Sequence, residues 1–215
     1  MRGPLPWLKP AVFTGALVPL VALILRAASG RLTADPIAYV LNRFGLLTLI
    51  FLIAALCMTP LRVLFGWTWP IRIRRMLGLF AFFYASLHFL TYTVVDQGLD
   101  FRAIGTDIVK RKFIFVGFAA FLLLIPLAVT STNGMVRRLG ALRWQRLHRL
   151  AYVAASLGAI HFIWRVKKDL REPAEYAAVL ALLLAFRAVN AIRTRGRKRS
   201  GGRTRAPRRR LENAR

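Results

Sequence analysis

Three histidines, His88, His148 and His161, lie within or beside long apolar runs of a 215-residue chain. Ionisable side chains in such runs are costly to desolvate and face the protein interior, so each is a candidate for chemistry. Neutral imidazole suits iron, and a porphyrin iron takes one axial ligand on each face. His88 is the thirteenth residue after Arg75, and His161 lies four residues before Arg165. If the two runs are helices crossing a membrane in the same direction, both imidazoles come to similar depth, just outward of the centre. They are the predicted axial pair. An interhelical hydrogen bond is the plainer reading of any one histidine alone; the shared depth is what favours ligation.

Small residues precede both members of the pair at helical spacing, Ala81 and Ala85 before His88, Ala154 and Gly158 before His161. They could leave room for a flat macrocycle or simply let helices approach. His148 stands 13 residues before His161, about 19.5 Å away at helical rise, a spacing that suits a second haem. Two features complicate that reading. About 140° of helical rotation separates the two side chains, and the position expected to supply a partner on the third helix, 74, is arginine. Arg74 and Arg75, with Arg146 and Arg149 beside His148, make a basic cluster at one level. Such residues usually anchor a membrane protein, but bidentate pairing would also suit haem propionates, a flavin phosphate or a quinone headgroup.

The elements that carry these residues can be measured against a hydrocarbon layer about 30 Å thick, which needs about 20 apolar residues in a helix. Hydrophobic residues are 57% of the chain, yet 34 are Lys or Arg, so charge and apolar runs must be segregated. Uncharged stretches of 18, 20 and 24 residues follow Arg43, Arg75 and Lys112. Runs near 10–25 and 150–164 are shorter, and a last run over 176–192 contains Arg187, whose side chain must reach the interface for the segment to span. The prediction is an all-α, polytopic six-helix transmembrane bundle over 1–192, with spans about 10–26, 44–61, 76–95, 113–131, 147–164 and 174–192.

Six spans put both termini on one side. Placing them inside puts 23 of the 34 Lys and Arg inside and seven of the eight acids outside, so both termini are expected to be cytoplasmic. Residues 193–215, a low-complexity Arg-rich tail, are expected to be disordered. A net charge of +26 would suggest nucleic acid in a soluble protein; beside apolar helices, anionic lipids are the nearer partner, and no nucleic acid is expected. The first run imitates a signal peptide poorly, because Pro4, Pro6 and Pro10 crowd its start. A single cysteine, Cys57, excludes an intrachain disulfide, a CxxC metal site and covalent CxxCH haem attachment. Loops are too short for a domain with its own core, and no nucleotide-binding glycine motif is present.

The blocks RRMLGLFAFFYASLHFLTYTVVDQ at 74–97 and LAVTSTNGMVRRLGALRWQRLHRLAYVAASLGAIHFIWRVKK at 127–168 resemble MsrQ, a family in the ferric-reductase-like transmembrane superfamily. The resemblance covers about residues 10–190, and the LHRLxY and HFxW blocks are specific to it; the extended tail departs from it. It implies a multi-pass protein of the bacterial inner membrane with b-type haem, one or two per chain, and an association with FMN. It also implies electrons drawn from quinol in the respiratory pool and passed to a periplasmic molybdopterin-dependent methionine-sulfoxide reductase, a separate catalytic subunit that repairs oxidised proteins. His88, His148 and His161 match the family's ligand histidines. Larger superfamily members carry four histidines on the same two helices, where this chain has Arg74.

Two other functions fit the bare pattern. A histidine-relay transporter could use intramembrane imidazoles to move protons, but no Asp or Glu lies within any of the apolar runs, the last counted over 176–192, to pair with them. A freestanding ferric reductase would need a cytoplasmic flavin and nicotinamide domain, which the short loops do not provide.

Overall fold

The computed structural model describes residues 6–166 and 169–203, with side chains described as far as residue 194. Helices α1 (Leu8–Ala28), α2 (Pro36–Phe65), α3 (Trp69–Leu90), α4 (Phe101–Lys110), α5 (Lys112–Val129), α6 (Asn133–Leu139), α7 (Ala141–Leu147), α8 (Leu150–Arg165) and α9 (Arg171–Arg203) make up the fold, and a π-helical turn over Thr91–Asp96 extends α3. No strand occurs among the described residues.

Local chemistry sets the helix ends. Asp35 caps α2 by accepting from the Ala38 amide, with Pro36 at the first helical position, where a missing N–H costs nothing. Gly66 closes α2 at φ 68°, a left-handed conformation that glycine adopts without a Cβ penalty. Asp100 accepts from the amides of Arg102 and Ala103 to start α4, and Thr132 accepts from Met135 to start α6.

Helices α1, α2, α3 with its π turn, α5 and the 171–194 part of α9 are long and apolar enough to cross a membrane. The remaining predicted span, 147–164, coincides largely with α8, whose 16 residues reach only about 24 Å. The protein is a multi-pass, all-helical membrane protein. At its centre α2 packs on α3 and α5 on α8, with α9 against α8 and α2, and α1 against α3. Alanines allow the close approach: Ala81 and Ala154 are fully buried among Leu52, Leu56, Leu124 and Leu127.

Three local expectations change. His148, expected within the predicted span 147–164, instead lies in a turn: Leu147 ends α7, and His148 with Arg149 precedes α8. Side chains hold that turn. The Trp144 indole N–H donates to the Thr130 carbonyl at 2.9 Å and its ring stacks on His148 at 3.9 Å. With the helix broken, rotation along a straight helix no longer relates His148 to His161. Arg187, expected to reach the membrane interface, turns into the bundle, donating to Tyr152 Oη (2.5 Å), the Leu56 carbonyl (2.8 Å) and Thr59 Oγ1 (3.0 Å). With no acid within 4.0 Å among the described residues, the guanidinium is better satisfied by these oxygens than by bare lipid. Finally, α9 continues past 192 to Arg203, so 193–203 has helical backbone; the rest of the Arg-rich tail, 204–215, lies outside the described residues.

Candidate functional site

His88 projects from the last turn of α3 and His161 from the penultimate turn of α8. Their rings face each other with centroids 6.1 Å apart and planes at 82°. The same backbone device holds each ring. His88 Nδ1 lies 2.8 Å from the Leu41 carbonyl of α2, and His161 Nδ1 lies 2.7 Å from the Phe113 carbonyl of α5. A carbonyl oxygen only accepts, so Nδ1 carries the proton in both rings and Nε2 keeps its lone pair. That is the tautomer a metal-binding imidazole needs, and such an anchored N–H is the usual support of a ligand histidine.

The residue four places after each accepting carbonyl is glycine. A Cβ on Gly45 would stand 3.2 Å from His88 Nδ1 and Cε1; one on Gly117 would stand 2.6 Å from His161 Nδ1 and 2.8 Å from Cε1. The second distance is incompatible with the ring where it sits. Each glycine leaves the hollow in which an imidazole packs against the neighbouring helix.

The paired rings open into a cavity of about 290 Å³. Its deeper wall is apolar, including Leu52, Ala85, Phe121, Leu124, Ala154 and Gly158, while Asn42, Asp96, Arg111 and Arg165 stand at its polar end. The small residues thus divide: Ala85, Ala154 and Gly158 line the cavity, and Ala81 belongs to the helix-packing core. The π turn after α3 contributes Tyr92 and Asp96 to the wall, and Tyr92 Oη donates to Asp107 of α4 at 3.2 Å. Such turns within helices often occur at functional sites.

Among the described residues no group of three or more His, Cys, Asp or Glu side chains could hold a metal ion. A metal between His88 and His161 would therefore have to bring its other ligands with it. The spacing fits this. With metal–imidazole bonds of about 2.0–2.1 Å and about 1.1 Å from nitrogen to ring centre, two imidazoles on opposite faces of one metal have centroids about 6.3 Å apart. The proton on each Nδ1, the free Nε2, the 6.1 Å separation and the largely apolar cavity lining suit a metal macrocycle held between the two histidines.

His148 lies apart from this pair. Its Nε2 is 3.2 Å from Thr130 Oγ1, and that hydroxyl already donates to the Pro126 carbonyl at 2.6 Å, so Nε2–H is the donor to Thr130. The proton arrangement is the reverse of that in His88 and His161. His148 lines a second cavity of about 210 Å³ with Arg74, Arg75, Ser131 and Trp144. Leu52 and Leu124 line both cavities and form the partition between them. Arg74 reaches Thr59 Oγ1 at 3.5 Å, and Arg75 donates to Asn133 Oδ1 at 2.6 Å. The predicted gathering of His148 with Arg74 and Arg75 is therefore present, whereas Arg146 and Arg149 are exposed beside it.

Sequence reasoning missed Gly45, Gly117, Asn42 and Arg165. For the glycines a signal was available: an isolated glycine within a long apolar helix weakens it and needs a packing or functional reason.

Residues 43–159 match the model of the family described as ferric reductase like transmembrane component. A protein of Rhodospirillum rubrum is 56% identical over 191 residues, covering 89% of this chain and 90% of its own. One of Ralstonia nicotianae is 54% identical over 179 residues, 82% of each chain, and one of Deinococcus radiodurans is 50% identical over 182 residues, 84% of this chain and 89% of its own. All three are named protein-methionine-sulfoxide reductase heme-binding subunit MsrQ.

Proposed function

The chain belongs to the MsrQ family of ferric-reductase-like transmembrane proteins, and on that premise we propose that it binds b-type haem through His88 and His161 and relays electrons across the bacterial inner membrane. The observation that carries the proposal is the facing pair itself: two imidazoles 6.1 Å apart, each with its proton turned to a helix carbonyl. Haem there would supply a one-electron carrier shielded from water by the cavity's apolar wall.

The residues define what the protein contributes. Leu41 and Phe113 fix the direction of the two rings through their carbonyls, and Gly45 and Gly117 give those rings room. Leu52 and Leu124 separate the two cavities by one layer of side chains, a short electron-transfer gap. Electrons enter at the level of His148, Arg74 and Arg75, where the basic side chains can receive a second haem's propionates, an FMN phosphate or a quinone headgroup. Quinol of the respiratory pool is the donor, and a periplasmic molybdopterin-dependent methionine-sulfoxide reductase subunit is the acceptor. Both termini are cytoplasmic, and the basic tail lies on anionic lipid. Sulfoxide reduction itself takes place on the partner chain; this chain is the redox subunit of that complex.

The test uses the full chain in vesicles, with a reduced quinol analogue in the bilayer and the partner subunit outside. Methionine-sulfoxide reduction that stops in His88→Ala and in His161→Ala is the expected result. Unchanged turnover in both variants would refute the electron path.

A further inference from the structure

The polar end of the first cavity distinguishes its four charged or amide side chains from one another. Arg111 is engaged with Asp107 at 3.2 Å and its side chain is 57% exposed. Asp96 accepts from its neighbour Gln97 at 2.8 Å and, as an anion, would repel a carboxylate. Arg165 has no acidic partner within 4.0 Å among the described residues, and it is half-buried. Its Nη1 donates to Asn42 Oδ1 at 2.5 Å, and its guanidinium lies 5.8 Å from the Phe162 ring.

Position ties Arg165 to both imidazoles. It follows His161 by one helical turn, so both side chains project on the same face of α8. Asn42, which holds it, follows Leu41, whose carbonyl holds His88. Five donors are fixed in a guanidinium plane, and one is committed to Asn42. The rest leave Arg165 with the capacity to bind a carboxylate in a bidentate way at the rim, while the opposite wall of the cavity, around Leu52, Phe121 and Leu124, offers only apolar contact.

A ligand suited to this cavity is apolar at one edge and anionic at the other. We infer that Arg165, positioned by Asn42, binds a propionate carboxylate of the haem held between His88 and His161 and so sets which edge of the macrocycle faces the polar end. The inference rests on the proposed haem site and adds to it a residue that fixes orientation. A cation at that edge also favours the reduced iron, whose charge is one unit more negative.

Apoprotein of the full chain, produced without haem, distinguishes this role from a structural one. Haem and haem dimethyl ester, which lacks the two carboxylates, are titrated into the unaltered chain, Arg165→Gln and Arg165→Lys. Arg165→Gln should weaken haem binding by about tenfold or more and binding of the dimethyl ester by less than about twofold, with Arg165→Lys between. In haem-loaded Arg165→Gln the iron's one-electron equilibrium should move towards the oxidised form by about tenfold, a midpoint fall of about 59 mV. Equal loss for both porphyrins, or no loss for either, would overturn the role of Arg165 while leaving the histidine site intact. If Arg165→Gln does not fold, a haem preference over the ester that is smaller in Arg165→Lys than in the unaltered chain supports the bidentate contact, and an equal preference in both, or none in the unaltered chain, refutes it. Failure of the unaltered chain to bind either porphyrin would instead remove the haem reading.

Discussion

His161 Nδ1 and the α-carbon of Gly117 share one hollow on α5: the ring donates to the Phe113 carbonyl at 2.7 Å, and the space beside it exists because residue 117 has no side chain. The counterpart on α2, Leu41 with Gly45 against His88, has the same four-residue spacing with more room. One packing device thus serves both helices of the pair.

Gly117→Ala should therefore displace His161 and cut haem affinity by about 10- to 100-fold, while the helix itself gains from the better helix former. Gly45→Ala, with a clearance of 3.2 Å rather than 2.6 Å, should cost less. Haem per polypeptide and far-ultraviolet circular dichroism check this together. Full haem loading of Gly117→Ala would contradict the hollow.

His148→Ala should leave the haem between His88 and His161 in place, because His148 bonds Thr130 and lines the other cavity. Electron entry from quinol should slow. The reduced spectrum and the rate of its appearance separate the two effects, and total loss of haem absorbance would place His148 in the first site.

Tyr152→Phe removes one of the oxygens that hold Arg187 and should destabilise the bundle by about 1.5–3 kcal/mol, the range for a hydrogen bond to a charged group. Thermal unfolding in detergent measures it. An unchanged melting temperature would mean that Arg187 is satisfied without Tyr152.

In a Cys57→Ser background, Gly98→Cys should react with an impermeant maleimide added to intact spheroplasts, and Gly66→Cys should react only after the membrane is opened. The prediction follows from the excess of Lys and Arg on the side assigned to both termini. The opposite pattern would invert the proposed direction of electron flow.

The helices and the facing histidines were legible because a membrane span is nearly a one-dimensional problem. Charge-free runs set its ends, and a polar residue inside it must turn towards protein. His88 and His161 follow from depth alone. Gly45 and Gly117 depend on which helices lie side by side, and nothing in the spacing of α2 or α5 announces the imidazole across from them. Arg187 was misplaced because reaching the interface is a property of a lone helix, whereas Tyr152, Thr59 and the Leu56 carbonyl offer partners only once α2, α8 and α9 are packed. The break at His148 is held by the contact of Trp144 with Thr130, just past the end of α5. Arg165 reads in the sequence as a span boundary, because its partner Asn42 lies 123 residues earlier.

Haem content of the purified full chain tests the central claim most directly. The unaltered protein should give a b-type reduced-minus-oxidised spectrum, and His88→Ala and His161→Ala should each remove the component that the two residues share, with helical content unchanged. Normal haem content and an unaltered spectrum in both variants would contradict the account.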